Sequence, residues 1–144
     1  MSGGRVHGSA VAIDGRGVLI LGASGSGKSD LALRLIDRGA TLIADDQVEL
    51  MPRAGRLHAC ALAILHGRIE VRGVGIIDVD VTSAPLALAI DIDRPPERLP
   101  EPATIALHGV ELPLITLAPF TASAPIKVEL ALKRLGLSLE EAPS

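Results

Sequence analysis

Apolar positions along this chain fall into short runs, broken by glycine and proline at strand-like intervals. Arg5–Ile13 reads as a strand, Asp14-Gly15-Arg16-Gly17 as a hairpin turn, and Val18–Leu21 as a second strand. Every residue of Val18–Leu21 is apolar, which predicts a central strand covered on both faces. The period then changes. Over Lys28–Arg38, Leu31, Ala32, Leu35 and Ile36 share one helical face, Arg34, Asp37 and Arg38 take the other, and Gly39 supplies the stop. Thr41–Ala44 and Val48–Met51 are predicted as short strands on either side of Asp45-Asp46. Further strands are predicted over Cys60–Leu65, Arg68–Arg72, Ile76–Val81, Leu86–Ile92 and Val110–Leu117. Pro95-Pro96 and Pro100–Pro102 mark a loop. Pro125 suits the first turn of a helix that runs to about Leu135 and stops at Gly136, with Ile126, Val128, Leu130 and Leu132 directed to the core. Ser138–Glu141 begins one more turn. The pattern contains no internal repeat and predicts an α/β domain with more strand than helix.

Composition narrows this. The 144 residues suffice for one domain, 1–144, with a real core. They include one Phe and no Trp or Tyr, so that core must be aliphatic. A net charge of −3 without a basic stripe argues against nucleic-acid binding. No apolar run reaches the roughly 18 residues of a membrane span, and Met1–Ala10 lacks the apolar stretch of a signal peptide. The expectation is a cytoplasmic domain with no membrane partner. Cys60 is the only cysteine, which excludes an internal disulfide and reads as a small buried hydrophobe. His58, His66 and His108 lie next to turns, read as solvated, and are too dispersed for a metal site.

The chemistry starts at Gly22-Ala23-Ser24-Gly25-Ser26-Gly27-Lys28-Ser29, which satisfies G-x-x-x-x-G-K-[ST] in full. Glycines let successive backbone N–H groups turn inward around phosphates, and the helix beginning at Lys28 adds the positive end of its dipole. Lys28 is placed to reach the β- and γ-phosphates, and the Ser29 hydroxyl to bind Mg²⁺. An apolar strand before the loop and an amphipathic helix after it are the context this motif needs.

Two further stretches stand out. Asp45-Asp46 emerge at the end of Leu42-Ile43-Ala44, where α/β sites lie; an Asx-type turn is the plainer reading. Neighbouring strand residues point to opposite sides, so the two carboxylates share a task only if the strand has already ended. In Ile69-Glu70-Val71-Arg72-Gly73-Val74-Gly75-Ile76-Ile77-Asp78, Glu70 and Arg72 share a face, and an exposed ion-paired strand face accounts for them on physical grounds alone.

Together these blocks resemble the catalytic domain of HPr kinase/phosphorylase, which acts on a serine of the phosphocarrier HPr. HGSAVAIDGRGVLILGASGSGKSDLALRLIDRGATLIADDQVEL carries the resemblance from His7 to Leu50, IEVRGVGIID carries the family's own signature, and ERLP adds a weaker block. The resemblance implies a P-loop kinase domain with a strand-rich mixed sheet, related to that of PEP carboxykinase, using ATP and Mg²⁺. It gives His7, otherwise a structural histidine, a functional place. It makes one of Asp45 and Asp46 the general base on the acceptor serine, with Asp46 favoured and Asp45 in support; the residues themselves leave the choice open. It implies that Glu70 binds metal beside Ser29, that Arg72 stands next to it, and that Arg98 neutralises charge on the transferring phosphoryl group. The implied partner is an HPr-type carrier, of sugar transport or of a nitrogen-linked phosphorelay. Longer relatives form hexamers, which raises a homo-oligomer here.

Two departures from the family pattern matter. Longer members carry an N-terminal domain before the position of His7, so the resemblance covers the catalytic domain only. They also carry an arginine-bearing Pro-Gly-Arg loop where this chain reads ITLAPFTASAP, without arginine. Reverse phosphorolysis is therefore expected to be weaker than the kinase reaction, or absent. A nucleotide-sensing module that has lost transfer, and a small-molecule kinase on the same scaffold, are the competing readings.

Overall fold

The computed structural model describes residues 3–62 and 67–138. Its strands and helices follow in the order β1 (Gly4–His7), β2 (Ser9–Ile13), β3 (Arg16–Leu21), α1 (Lys28–Asp37), β4 (Thr41–Ala44), β5 (Gln47–Arg53), β6 (Arg56–Ala61), β7 (Arg68–Val71), β8 (Gly75–Asp78), β9 (Ala84–Asp91), β10 (Ala103–Leu107), β11 (Val110–Thr116) and α2 (Ala124–Leu135). The fold is mixed α/β, strand-rich as expected. Most of the strands form one nine-stranded mixed sheet with the path β1-β5-β6-β9-β3-β2-β4, and β7–β8 form a separate hairpin. The apolar strand β3 is central, paired parallel to β9 and antiparallel to β2. The long β9 also serves two partners along its other edge, β6 near its start and β11 near its end.

The two faces of this sheet bury different things. Val18 and Ile20 of β3 join Leu88 and Ile90 of β9 under α1 and α2, against Leu31, Leu35, Val128 and Leu132. Leu19 and Ala89 point the other way, into a second core with Leu50, Leu57 and Leu112, where the sheet folds over itself. The period-two alternation of a strand buried on both faces produces this division. Burying such aliphatic side chains at about 1.5–3 kcal/mol each is what holds a chain with a single aromatic residue together.

Several expectations are corrected. The predicted strand Arg5–Ile13 is two strands, because the Gly8 N–H leaves the ladder to donate to the Asp46 carbonyl at 3.0 Å. A Cβ at Gly8 would stand 2.7 Å from the Ile20 carbonyl oxygen, so only glycine passes this crossing. β1 thereby pairs with β5 while β2 pairs with β3 and β4. β10, unforeseen in the sequence, forms a hairpin with β11. The strand predicted from Cys60 starts at Arg56, paired to β5 through the Ala54-Gly55 turn, and its predicted end at 63–65 lies outside the described residues. Arg72 is not in a strand; β7 ends at Val71 and Arg72 lies in the turn closed by Val74 N–H to the Val71 carbonyl. α2 buries Ala124, Pro125, Val128 and Leu132, a 3.6-residue stripe, and leaves Ile126 and Leu130 exposed. His58 is half-buried on β6 rather than solvated, and burial lowers its pKa, with Arg53 and Arg56 adding to the effect. Cys60 is likewise half-buried; burial, then the charge of Glu49, raises its thiol pKa. His66 and residues 139–144 lie outside the described residues.

Candidate active site

The phosphate loop leaves the C-terminal end of central β3 and turns directly into α1. Gly22 has no room for a side chain: a Cβ would lie 2.6 Å from Ser26 Oγ and 2.9 Å from Ile92. Gly27 occupies the left-handed region at φ +109° and stands as the N-cap of α1 without any side-chain cap. The first-turn amides are therefore free of side-chain acceptors, the condition under which a helix N-terminus receives an anion. Asp93, beyond the end of β9, anchors the start of the loop by accepting the Ala23 N–H at 2.8 Å.

Two observations bear on whether phosphate fits. Lys28 is buried, and among the described residues its ammonium donates only to the loop's own carbonyls, Gly22 O at 2.8 Å and Ala23 O at 2.9 Å. A buried cation held by neutral acceptors favours an arriving anion. In the same loop, Ser26 Oγ is buried and finds no hydrogen-bond partner among the described residues. Both features suit a bound phosphate chain.

The adjacent aspartates have different surroundings. Strand β4 ends at Ala44, and the Gln47 N–H donates back to the Asp45 carbonyl at 2.9 Å across Asp46, whose φ is +74°. This two-residue closure is a γ-turn of positive φ, an uncommon and strained one. It sends the two side chains apart. Asp45 is buried and accepts from Ser9 Oγ at 2.6 Å, from Ser29 Oγ at 2.8 and 3.0 Å, and from the Glu70 N–H at 3.3 Å. Asp46 is 65% exposed, with its Oδ1 3.3 Å from His7 Nδ1. The other ring nitrogen of His7 lies 3.3 Å from Ser24 Oγ, which ties the imidazole to the phosphate loop.

Besides a cavity of about 530 Å³ at the start of the loop, against His7, Gly22, Ala23 and Asp93, two more flank it. One, of about 360 Å³, is lined by His7, Ser24, Ser29, Asp45, Asp46 and Glu70, among others. The second, of about 220 Å³, lies against Gly27, Ser29, Leu33, Glu70, Arg72 and Phe120. Glu70, Lys28, Ser29 and Gly25 border both. The structure thus brings His7, Asp45, Asp46, Glu70 and Arg72 to residues 22–29. It does not bring Arg98, which sits exposed in the loop after β9 and lines neither cavity. That loop is long and proline-rich, and no strand directs the arginine inward.

Sequence reasoning missed Ser9, Asp93 and Phe120. Ser9 offered a signal, as the one polar residue at the head of an apolar strand. Asp93 and Phe120 offered none, because their place beside the loop is made by the parallel pairing of β9 and by the turn before α2.

The donors around Ser29 are hard oxygens: its hydroxyl, the Asp45 carboxylate and, across the cavity, Glu70. Mg²⁺ takes one or two carboxylates together with phosphate oxygens, so this set fits it. Among the described residues no group of three or more His, Cys, Asp or Glu side chains is gathered to hold a metal by protein ligands alone. No helix among the described residues is long and apolar enough to cross a membrane.

Comparison with known proteins agrees with this geometry. The family model described as HPr Serine kinase C-terminal domain matches residues 2–83. An HPr kinase/phosphorylase of Clostridium botulinum is 51% identical over 75 residues, which are 52% of this chain and 25% of that protein. One of Brevibacillus brevis is 36% identical over 126 residues, 77% of this chain and 40% of its own length. The chain thus spans less than half the length of these relatives. A solved structure, that of the Hpr(Ser) kinase/phosphatase from Coxiella burnetii, superimposes with a TM-score of 0.77 at 29% identity, covering 90% of this chain and 94% of the other.

Proposed function

The chain belongs to the HPr serine kinase C-terminal domain family, and from that premise we propose that it is an ATP-dependent protein-serine kinase whose acceptor is an HPr-type phosphocarrier. The observation that carries the proposal is the convergence of a buried lysine, a serine–aspartate pair and an exposed aspartate–histidine pair on one phosphate loop. A nucleotide-binding module needs the first two. The exposed carboxylate beside an imidazole is what transfer to a hydroxyl adds.

The roles follow from the surroundings. Lys28 exchanges its loop carbonyls for phosphate oxygens, with the uncapped amides at the start of α1 and the Ser26 hydroxyl beside it. Ser29, Asp45 and Glu70 would hold Mg²⁺, which when bound would neutralise charge on the phosphates. Asp45 is already occupied by Ser9 and Ser29, so the proton falls to Asp46, the one of the pair open to an incoming chain. Asp46 takes the serine proton as the serine oxygen bonds to the γ-phosphorus and the bond to the bridging oxygen breaks, releasing ADP. His7 orients Asp46 from one ring nitrogen while its other faces Ser24. Neither Arg72, which lines the other cavity, nor Arg98 borders the cavity of His7 and Asp46; the arginine that does is Arg68.

In reverse, phosphate would attack phosphoserine to give pyrophosphate and the free hydroxyl. The loop from Ile115 to Pro125 contains no arginine, so we expect this direction to be the slower one. Residues 1–144 act as a single catalytic domain in this reading, in the cytoplasm where a phosphocarrier is available, and self-association as in longer relatives is compatible with it.

The test is label transfer from γ-labelled ATP and Mg²⁺ to a purified HPr-type carrier, beside a carrier with its target serine changed to alanine. Label on the intact carrier alone is expected. Absence of label on either, with ATP binding retained, would refute the kinase and leave a nucleotide sensor.

A further inference from the structure

The only aromatic residue of the chain, Phe120, is 69% exposed, while a core of Leu, Ile, Val and Ala is buried without it. Its position is nevertheless built. Arg34, on α1, donates to the Pro119 carbonyl and, at 3.1 Å, to the Thr121 carbonyl, clamping the turn on both sides of the ring. The far edge of the ring meets the phosphate loop: a Cβ at Gly27 would lie 2.7 Å from Phe120 Cζ and 3.0 Å from Cε1. Loop and ring approach so closely that only glycine fits between them. A large apolar side chain held at a phosphate loop and left mostly in water is unexplained by packing.

The two flanking cavities give the direction. The acceptor-side cavity contains His7 and Asp46. Resting on the reading of residues 22–29 as a nucleoside triphosphate site, the terminal phosphate lies toward that pair. The remaining phosphates follow over Lys28 and Ser29, which border both of these cavities but not the one at Gly22 and Ala23, so the nucleoside leaves on the other side. That side is walled by Leu33, Val71, Arg72 and Phe120. A flat π-system beside two aliphatic side chains and a guanidinium matches the face of a nucleobase, which stacks on aromatic rings and arginine planes.

We propose that Phe120 is the nucleobase platform of this site, stacking on the base of the bound nucleoside triphosphate, with Arg72 lining the same subsite.

Calorimetry with the full chain separates base from phosphate. ATP and inorganic tripolyphosphate, each with Mg²⁺, are titrated into the unaltered protein and into Phe120→Ala. The expected result is ATP binding weakened about tenfold or more by the substitution, with tripolyphosphate affinity changed less than about twofold. Retained tripolyphosphate binding also reports that the variant is folded. Unchanged ATP affinity, or equal loss for both ligands, would overturn the platform while leaving the phosphate loop intact as a site. If the unaltered protein binds neither ligand, the phosphate-site reading fails and takes this proposal with it. Because the chain has no Trp, Phe120→Trp places a single indole at the site. Its fluorescence should respond to ATP and not to tripolyphosphate; an equal response to both, or to neither, counts against stacking.

Discussion

The two ends of the phosphate loop are built in different ways. At the acceptor end, residues from 7 to 46 supply nearly everything, tied by short hydrogen bonds through the buried Asp45. At the far end, Phe120 and Arg72 come from turns distant in sequence and remain exposed. The centre of the first end, Ser9–Asp45–Ser29, is a satisfied polar network around a buried carboxylate, where each member depends on the others. The second is a surface with shape but few bonds. Chemistry on phosphorus needs the former, because charge must be met by preorganised groups. Holding a base needs only a face and room to enter.

This contrast can be broken most forcefully at Asp45. Asp45→Ala leaves Ser9, buried, and Ser29 without their acceptor, and should cost about 2–3 kcal/mol of stability in urea unfolding. Asp46→Asn, on an exposed side chain whose φ of +74° asparagine tolerates, should change stability by less than about 0.5 kcal/mol. Equal costs would erase the distinction between the neighbours. A smaller effect is expected at the junction of the two ends. Gly27→Ala puts a Cβ at φ +109° and against the Phe120 ring, for about 1–2 kcal/mol, and it should weaken ATP binding as well. Unaltered thermal stability in that variant would mean that the ring is not seated there.

The smallest effect lies away from the site. Burial, then Arg53 and Arg56, lower the pKa of His58 below its ordinary 6.5. The unfolded chain therefore binds the proton more readily than the folded one. The stabilising contribution is present above about 6.5 and is lost as pH falls through the lower folded value. His58→Gln should flatten the decline of stability with acidity over that interval, as followed by unfolding midpoints. An identical slope in both proteins would show that His58 titrates as if in water.

Where the sequence was legible, local rules sufficed. Val18–Leu21 announced a central strand by lacking any polar position, and the helix over 28–37 announced itself by period and by its terminal glycine. Residues 22–29 declared phosphate because the motif fixes backbone as well as side chains. The break at Gly8 was hidden, since what ends the strand is a carbonyl from a distant residue rather than a turn signal. The different surroundings of Asp45 and Asp46 were hidden too, because they come from a γ-turn that no residue preference encodes. β10 escaped notice among prolines and short polar residues, and exists by pairing with β11. Arg98 was matched through a short motif across a loop of altered length, and that loop holds it exposed, outside the cavities of His7 and of Phe120.

The central claim is that Asp46 serves transfer and not nucleotide binding, while Asp45 belongs to the frame that both need. Measuring ATP affinity by calorimetry and label transfer to the carrier on the same preparation of Asp46→Asn tests it most directly. The account predicts affinity within about twofold of the unaltered protein and transfer reduced by about 10²–10⁴-fold. Transfer that persists at its original rate, or falls only in step with lost ATP binding, would contradict it.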